Sequence, residues 1–352
     1  MRYKDREGHL IERETRQDKF LKGLYTKPIG RLFVRILITK PVTSVCGFFL
    51  NRKLSSLFIS RFIKNNNIDM SQYEERKYKS YNDFFTRRIK EGKRQINFSE
   101  DVLISPSDGN ATAVPISEKT VLSIKNTEYT LGELLRDDEL AQEFRGGTCF
   151  IIRLAVDNYH RYCYVCSGKK SKNIHIKGVL HTVNPVAAEH APIYKENSRE
   201  YTVIQSEKFG KVLQMEVGAL VVGKISNYHT GECSVEKGCE KGMFEFGGST
   251  IIVLTQKDKI TASPDIVANS GEDCETIVSE STVFVPDTTC RDFSIDLLPL
   301  KALTEHYISL QFSIKYHLVV LHTKELPVCH LLLQDRECQA VLFRRWFRNH
   351  TA

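Results

Sequence analysis

The stretch VLQMEVGALVVGKI, at residues 212–225, is a run of apolar and β-branched residues of the kind that forms β-strands. Three similar runs lie near it along the chain: TCFIIRLAV (148–156), REYTVIQS (199–206) and STIIVLTQ (249–256). Turns rich in Gly, Asn and Asp separate the runs, so residues 101–260 are predicted to form one β-dominated domain. Inside it, residues 130–145 (TLGELLRDDELAQEFR) predict a single helix.

Before this domain, residues 29–65 place apolar side chains at helical spacing between basic residues. Pro41 is expected to divide this stretch into two helices. Such helices are typical of docking at an anionic membrane surface, and ordinary amphipathic helices packed on a core have the same pattern. Residues 66–100 predict further exposed helix, with YNDFFTRRIK (81–90) as its apolar anchor. The expected class is therefore α+β, with residues 1–100 forming a charged segment and docking helices.

Composition narrows the possible classes of function but does not identify one. The chain has 352 residues, of which 41% are hydrophobic and 26% charged, and its formal net charge is +7. A positive excess favours anionic partners, either nucleic acid or acidic lipid. Because no recognised nucleic-acid motif occurs, we expect no nucleic-acid partner. The start MRYKDREGHL does not have the pattern of a signal peptide, and no run of 18 apolar residues occurs, so a cytoplasmic location with reduced cysteines is expected. Residues 261–352 are a C-terminal extension with no assigned role.

The segment GGST places Ser249 directly after two glycines and at the start of an apolar run. Glycines permit backbone conformations and close approaches that other residues forbid. The Ser249 hydroxyl could attack the Gly248 carbonyl, convert the amide to an ester, and split the chain by elimination. The remaining dehydroalanine would hydrolyse to a pyruvoyl group. Alone, Gly-Gly-Ser is usually only a turn.

A serine nucleophile needs a base and a group that orients the base. Asp108, in an S-D-G turn, and His160, in a Y-H-R segment, are the candidates. Each has an ordinary alternative, because Asp-Gly is a common turn and a lone histidine is often a surface or core residue.

Six segments occur in order along the chain: SPSDG, VDNYHRY, LHTVNP, ENSRE, VGA-x-x-VG at 217–223, and K-G-x-E-x-G-x-F-x-F-G-G-S-T at 237–250. Together they resemble the phosphatidylserine decarboxylases, close to the bacterial short-chain type. The resemblance covers about residues 75–260.

The resemblance implies conversion of phosphatidylserine to phosphatidylethanolamine and CO2. The cofactor would be pyruvate, a covalent pyruvoyl group from Ser249 that forms a Schiff base with the substrate amine and accepts electrons as CO2 leaves. Asp108 and His160 would be the charge-relay pair for cleavage between Gly248 and Ser249. His160 is also the candidate proton donor to the substrate carbon.

The resemblance also implies binding partners and a cellular location. Cleavage would yield a heterodimer of a large chain (1–248) and a small chain (249–352), with a higher oligomer left open. The proenzyme would lie peripherally on the cytoplasmic side of the cell membrane, against phosphatidylserine. No metal is expected, because Cys163 and Cys166 lie in a predicted strand where their side chains point to opposite faces.

One position departs from the family pattern. Many relatives have Y-H-x-x-H, whereas Cys163 stands here in place of the second histidine. His181 is the candidate for the missing function. A non-catalytic, maturation-defective lipid-binding homologue, and a pyruvoyl enzyme acting on a soluble amino acid, are the alternatives.

Overall fold

The computed structural model describes residues 2–12, 23–37, 39–124, 127–179, 193–219, 224–245, 249–271 and 274–279. Within these residues, strands predominate over short helices. The helices are α1 (Pro28–Leu37), α2 (Lys40–Leu50), α3 (Ile59–Asn66), α4 (Tyr81–Phe85), α5 (Leu131–Leu135), α6 (Asp138–Gln142), α7 (Ile193–Glu196) and α8 (Pro264–Gly271), with 3-10 helices at Lys53–Phe58 and Met70–Gln72.

The strands make up the rest of the described regular structure. They are β1 (Arg2–Lys4), β2 (Leu10–Glu12), β3 (Gly109–Pro115), β4 (Val121–Ile124), β5 (Thr127–Thr130), β6 (Thr148–Leu154), β7 (Arg161–Cys163), β8 (Gly168–Lys170), β9 (Ile174–Ile176), β10 (Arg199–Ser206), β11 (Gly210–Val217), β12 (Lys224–Asn227), β13 (Cys233–Val235), β14 (Glu240–Glu245), β15 (Ser249–Thr255) and β16 (Glu275–Val278).

Eleven of the described strands form one sheet, in the order β13-β8-β10-β11-β15-β6-β3-β16-β1-β2, with β9 added against β10. Neighbours are antiparallel, except that β1 runs parallel to β16. Strands β12, β14 and β7 form a second sheet, and β4 pairs with β5. The predicted β-dominated mixed fold is confirmed.

Side chains pack on both faces of the large sheet, which explains why β15 has no polar alternation: every one of its residues is buried. The first core, on one face, includes Phe150, Ile152, Leu154, Tyr162, Val212, Phe244, Ile251 and Val253. The second core, on the other face, includes Leu131, Leu134, Leu135, Ile151, Leu213, Met215, Val217, Ile252 and Leu254.

The single helix predicted at residues 130–145 is wrong. The structure has two short helices, α5 and α6, because Arg136 takes a left-handed conformation with φ of 56° and ends α5. Asp137 then begins α6 by accepting a hydrogen bond from the Leu140 N–H. The side-chain carboxylate of Asp138 also packs so close to Gly132 that a Cβ there would lie 1.9 Å from its Oδ1.

The predicted helix across residues 66–100 is also wrong for most of its length. Asn67 ends α3 in a left-handed conformation with φ of 52°. The following residues contain the short 3-10 helix at Met70–Gln72 and α4, whose Phe84 and Phe85 are fully buried. Helix α4 is therefore packed into the molecule, whereas residues 91–100 are mostly exposed.

The predicted domain boundaries stay predictions. Near the N-terminus, β1 pairs with β16, and Pro41 lies in the first turn of α2, where a proline is tolerated. In the predicted C-terminal extension, α8 and β16 pack on β3. Residues 280–352 lie outside the described residues.

Candidate active site

The end of β6 and the starts of β3 and β15 lie side by side at one end of these three neighbouring strands. Because β6 is antiparallel to both of its neighbours, its last residue, Leu154, lies where β3 and β15 begin. Ser249 is the first residue of β15 and pairs with Leu154. Asp108 directly precedes β3, and a Cβ at Gly109 would lie 2.8 Å from the Arg153 carbonyl oxygen. This close approach explains why glycine follows Asp108.

Ser249 is buried, and its hydroxyl is unsatisfied within the described part of the chain. Strand alternation places its side chain on the face of Ile251 and Val253, towards the first core. Its residue exposure is 0%, and among the described residues its Oγ has no hydrogen-bond partner. An unsatisfied buried polar group costs about 1–3 kcal/mol. This makes the Ser249 hydroxyl a candidate for a functional role.

His160, just before β7, is also fully buried. Its ring lies on the ring of Phe85, with 4.1 Å between centroids. Its Nδ1 is 3.0 Å from the Asn158 carbonyl oxygen, whereas Nε2 has no partner among the described residues. A carbonyl only accepts, so Nδ1 donates and Nε2 keeps its lone pair. The Phe244 N–H donates to the His160 carbonyl at 2.9 Å, which ties His160 to the strand that leads to Ser249.

The charge state of His160 follows from its surroundings. Burial, and then the positive charge of Arg87, lower the pKa of His160 to about 3. The ring is therefore neutral at physiological pH. Its Nε2 lone pair is therefore available at that pH, and the ring holds no second proton to supply.

Asp108 pairs with an arginine. Its Oδ1 accepts from Arg94 Nε at 3.1 Å and its Oδ2 from Arg94 Nη2 at 2.5 Å, a two-pronged geometry. Arg94 also donates to Gln72 Oε1 at 2.9 Å. The structure does not join Asp108 to His160 by a hydrogen bond, since the ring of His160 bonds only to Asn158 within the described residues.

Cys163 lies against the same turn as Asp108. Its N–H donates to the Pro106 carbonyl at 2.8 Å, and its Sγ is 3.8 Å from the Ser105 carbonyl oxygen. Cys166 instead packs in the first core, where burial raises the pKa of its thiol to about 12. The two other predicted site residues, His181 and Gly248, lie outside the described residues.

Sequence reasoning missed a buried ion pair on the same face as Ser249. Glu216 lies opposite Ile251, and its Oε2 is 2.5 Å from the Nζ of Lys241. Asn227 donates to the same Oε2 at 3.2 Å. Burial raises the pKa of Glu216, although Lys241 and Asn227 act in the opposite direction. Lys241 lies inside the K-G-x-E-x-G segment, but nothing in the sequence indicates that Glu216 is its partner.

This pair gives a stability prediction. Lys241→Met in a Ser249→Ala background should lower the free energy of unfolding by about 3–5 kcal/mol, because it leaves the Glu216 charge buried without its partner. Urea unfolding followed by circular dichroism measures this change. Lys224→Met is the matched control: Lys224 pairs with Glu245 at 2.7 Å, but its side chain is 64% exposed, so a change within about 0.5 kcal/mol is expected. Equal losses in the two variants would contradict the prediction.

Comparison with known proteins identifies one family. The family model described as phosphatidylserine decarboxylase matches residues 81–277. A Clostridium acetobutylicum protein named phosphatidylserine decarboxylase proenzyme 2 is 44% identical over 257 residues, which cover 73% of this chain and 88% of the relative. Two proteins named phosphatidylserine decarboxylase proenzyme are also similar. The one from Clostridium novyi is 39% identical over 75% of this chain and 92% of its own length. The one from Clostridium perfringens is 40% identical over 74% and 90%. The chain belongs to the phosphatidylserine decarboxylase family.

Proposed function

We propose that this chain is a proenzyme that cleaves itself between Gly248 and Ser249 and then converts phosphatidylserine to phosphatidylethanolamine and CO2. One observation carries the proposal beyond family membership. Within the described residues, the Ser249 hydroxyl at the start of β15 is buried without an acceptor, and His160 Nε2, in the loop that follows the neighbouring strand β6, is buried without a donor. The Ser249 hydroxyl can donate a hydrogen bond, and His160 Nε2 can accept one.

In the proposed self-cleavage, His160 Nε2 takes the proton of the Ser249 hydroxyl as Oγ attacks the Gly248 carbonyl carbon. The peptide C–N bond breaks, and the nitrogen gains a proton to become the free amine of Ser249. Loss of the Ser249 α-proton then breaks the Cβ–Oγ bond and leaves a carboxylate on Gly248. The resulting dehydroalanine takes up water and releases ammonia, which yields the pyruvoyl group. In this proposal Asp108, held by Arg94, orients its own turn, whose Pro106 carbonyl accepts from the N–H of Cys163, three residues after His160.

The position of Ser249 fits the cofactor that the family uses. The pyruvoyl group would begin β15 in a buried setting, where its carbonyl supplies an acceptor for the electrons released on decarboxylation. Strand β15 lies between β6 and β11 and is hydrogen-bonded to both. These ladders would keep the small chain (249–352) bound to the large chain (1–248) after cleavage.

An unusual pH dependence follows. The rate of self-cleavage should stay nearly constant from pH 8 down to pH 5, because the pKa of His160 is about 3 and its Nε2 remains unprotonated. For a histidine of ordinary pKa, about 6.5, the neutral fraction would fall about 30-fold between pH 8 and pH 5. Gel densitometry of the two fragments against time gives the rate, with circular dichroism checking the fold at each pH. A decline centred near pH 6.5 would contradict the proposed state of His160.

We also propose that the segment from α1 to α3 docks on an anionic membrane. Its surface carries exposed large apolar side chains, namely Ile29, Leu32, Phe33, Val45, Phe48, Phe49, Leu54, Leu57 and Phe58. Exposed basic residues accompany them, including Arg52, Lys53, Arg61 and Lys64. Apolar residues suit the acyl region of a bilayer, and basic residues suit anionic headgroups. No described helix is long and apolar enough to span a membrane.

Helix α4 joins this docking segment to the site. Asn82 Nδ2 is 3.0 Å from Asn51 Oδ1 and 3.3 Å from Glu245 Oε2, at the end of β14. Phe85, at the end of the same helix, packs on the ring of His160. These contacts support a lipid surface close to the chemical site, as a lipid substrate requires.

Membrane docking can be tested without truncation, which would also remove the Ser55 hydroxyl that accepts from the Tyr81 N–H. Replacing Phe48, Phe49, Leu57 and Phe58 by serine should abolish sedimentation with phosphatidylserine-containing vesicles. Each inserted side chain contributes up to about 1.5–3 kcal/mol. Phe98→Ser, at another exposed phenylalanine, is the control and should bind like the native chain. Undiminished binding of the fourfold variant would rule out this docking surface.

The decarboxylase activity is tested by incubating the purified protein with phosphatidylserine vesicles and, separately, with free serine. We expect CO2 and phosphatidylethanolamine from the vesicles and no CO2 from serine. Turnover of free serine would support a soluble-substrate enzyme. An intact chain without activity on either substrate would support the maturation-defective homologue.

A further inference from the structure

Arg87, two residues after α4, is a wholly buried cation that the decarboxylase mechanism above does not use. Its guanidinium lies over the rings of Tyr73 and Phe84, at 4.4 and 4.9 Å from their centroids. Among the described residues it forms no ion pair with a carboxylate. A buried charge is costly unless it is paired or otherwise compensated. Its compensation here comes from aromatic faces and from the loop before His160.

That loop is held through its carbonyl groups. Arg87 Nη2 donates to the carbonyl oxygen of Asp157 at 2.9 Å and to that of Asn158 at 3.2 Å. The Asn158 carbonyl oxygen is also the acceptor for His160 Nδ1 at 3.0 Å. One carbonyl oxygen therefore receives two donors, one from the arginine and one from the imidazole.

This shared acceptor restricts the proton arrangement of His160. The carbonyl can be bonded only if Nδ1 carries the proton, which leaves Nε2 with its lone pair. Protonating Nε2 as well would place a second positive charge beside the Arg87 guanidinium. Burial and then Arg87 are the two influences that lower the pKa of His160, and Arg87 is the one charged group among them.

We propose that Arg87 is a positioning residue for self-cleavage, which holds the Asn158 carbonyl at His160 Nδ1 so that Nε2 stays free to accept the Ser249 proton. This inference rests on the proposed self-cleavage for its consequence, but its structural content is independent of cleavage. It acts through His160.

The tautomer can be measured in a chain that cannot cleave. We would label Ser249→Ala protein with 15N-histidine and identify the His160 signals by their loss in His160→Gln. With Arg87 present, the 15N shifts should report one neutral tautomer, protonated at Nδ1, over the range from pH 8 to pH 5. In Arg87→Gln the two tautomers should mix, and the pKa of His160 should rise but stay below 6.5, because burial is the larger cause.

Cleavage kinetics supply the second readout. Arg87→Gln and Arg87→Lys, each in a chain with native Ser249, should slow self-cleavage by about 10- to 100-fold, as expected for a displaced catalytic group. Arg76→Gln is the matched control. Arg76 also lies over an aromatic ring, that of Tyr78, and pairs with Asp83 on a more exposed surface. This control should keep the native rate and the single His160 tautomer.

The outcomes separate cleanly. An Arg87→Gln chain with the native tautomer and the native cleavage rate overturns the proposal. If Arg87→Gln does not fold, Arg87→Lys decides, because it keeps the charge without the paired N–H groups; a native rate and tautomer in that variant would also overturn it. If the native chain fails to cleave, the proposed function falls, while the tautomer measurement still answers the question about Arg87.

Discussion

Replacing Ser249 with alanine is expected to leave one uncleaved chain of 352 residues with no decarboxylase activity. The reason is that the Ser249 hydroxyl is the nucleophile, and breaking its Cβ–Oγ bond leaves the dehydroalanine from which the pyruvoyl group forms. Its Oγ is buried, without a partner among the described residues, at the start of β15. Removing this oxygen removes an unsatisfied polar atom, so the variant should fold at least as well as the native chain. Denaturing gels and CO2 release provide the two measurements.

Two controls sharpen this result. Ser249→Cys keeps a nucleophile and should cleave slowly. Ser234→Ala, at an exposed serine of β13, should cleave and react like the native protein. Normal cleavage of the Ser249→Ala chain would place the nucleophile elsewhere.

The second large effect is expected from His160→Gln, which should slow self-cleavage by about 10²- to 10⁴-fold, the usual contribution of a general base. Glutamine can still donate to the Asn158 carbonyl, as His160 Nδ1 does at 3.0 Å, but it cannot accept a proton at neutral pH. The variant therefore separates proton transfer from packing. Fragment appearance over hours to days gives the rate.

His229→Gln is the matched control for this experiment. His229 lies in an exposed turn between β12 and β13, and its replacement should leave the rate unchanged. If His160→Gln cleaves at the native rate, another residue is the base, and His181 becomes the next residue to replace.

The sequence predicts strands best where they are buried on both faces. In β15 the two sides of the central IIVL run belong to different cores, so all four of these residues are apolar and the strand is easily recognised. It predicts helices less well, because the backbone conformation of a single residue can end a helix. The left-handed Arg136 divides a stretch whose composition favours a continuous helix, and arginine carries no signal for that conformation.

The site shows the same division. Ser249, His160 and Asp108 could be named from the sequence because their local segments resemble a family. The contacts that these three residues make could not be predicted from the sequence. Asp108 bonds to Arg94, and His160 bonds to a backbone carbonyl two residues before it, and both facts depend on how distant segments meet.

Arg87 and the Glu216–Lys241 pair are absent from the sequence prediction for a physical reason. Arginine, lysine and glutamate are usually exposed, so a sequence reading assigns them to the surface. Arg87 is buried because rings and backbone carbonyls surround it, and Glu216 is buried because Lys241 and Asn227 meet it. None of these partners is adjacent in sequence.

The most direct test of the central claim is intact-protein mass spectrometry of the purified native chain. We predict two species: residues 1–248 ending in a free carboxyl group, and residues 249–352 beginning with a pyruvoyl group in place of Ser249, resistant to N-terminal sequencing. A single species with the mass of the full chain, or a small fragment that begins with an ordinary serine, would contradict the account.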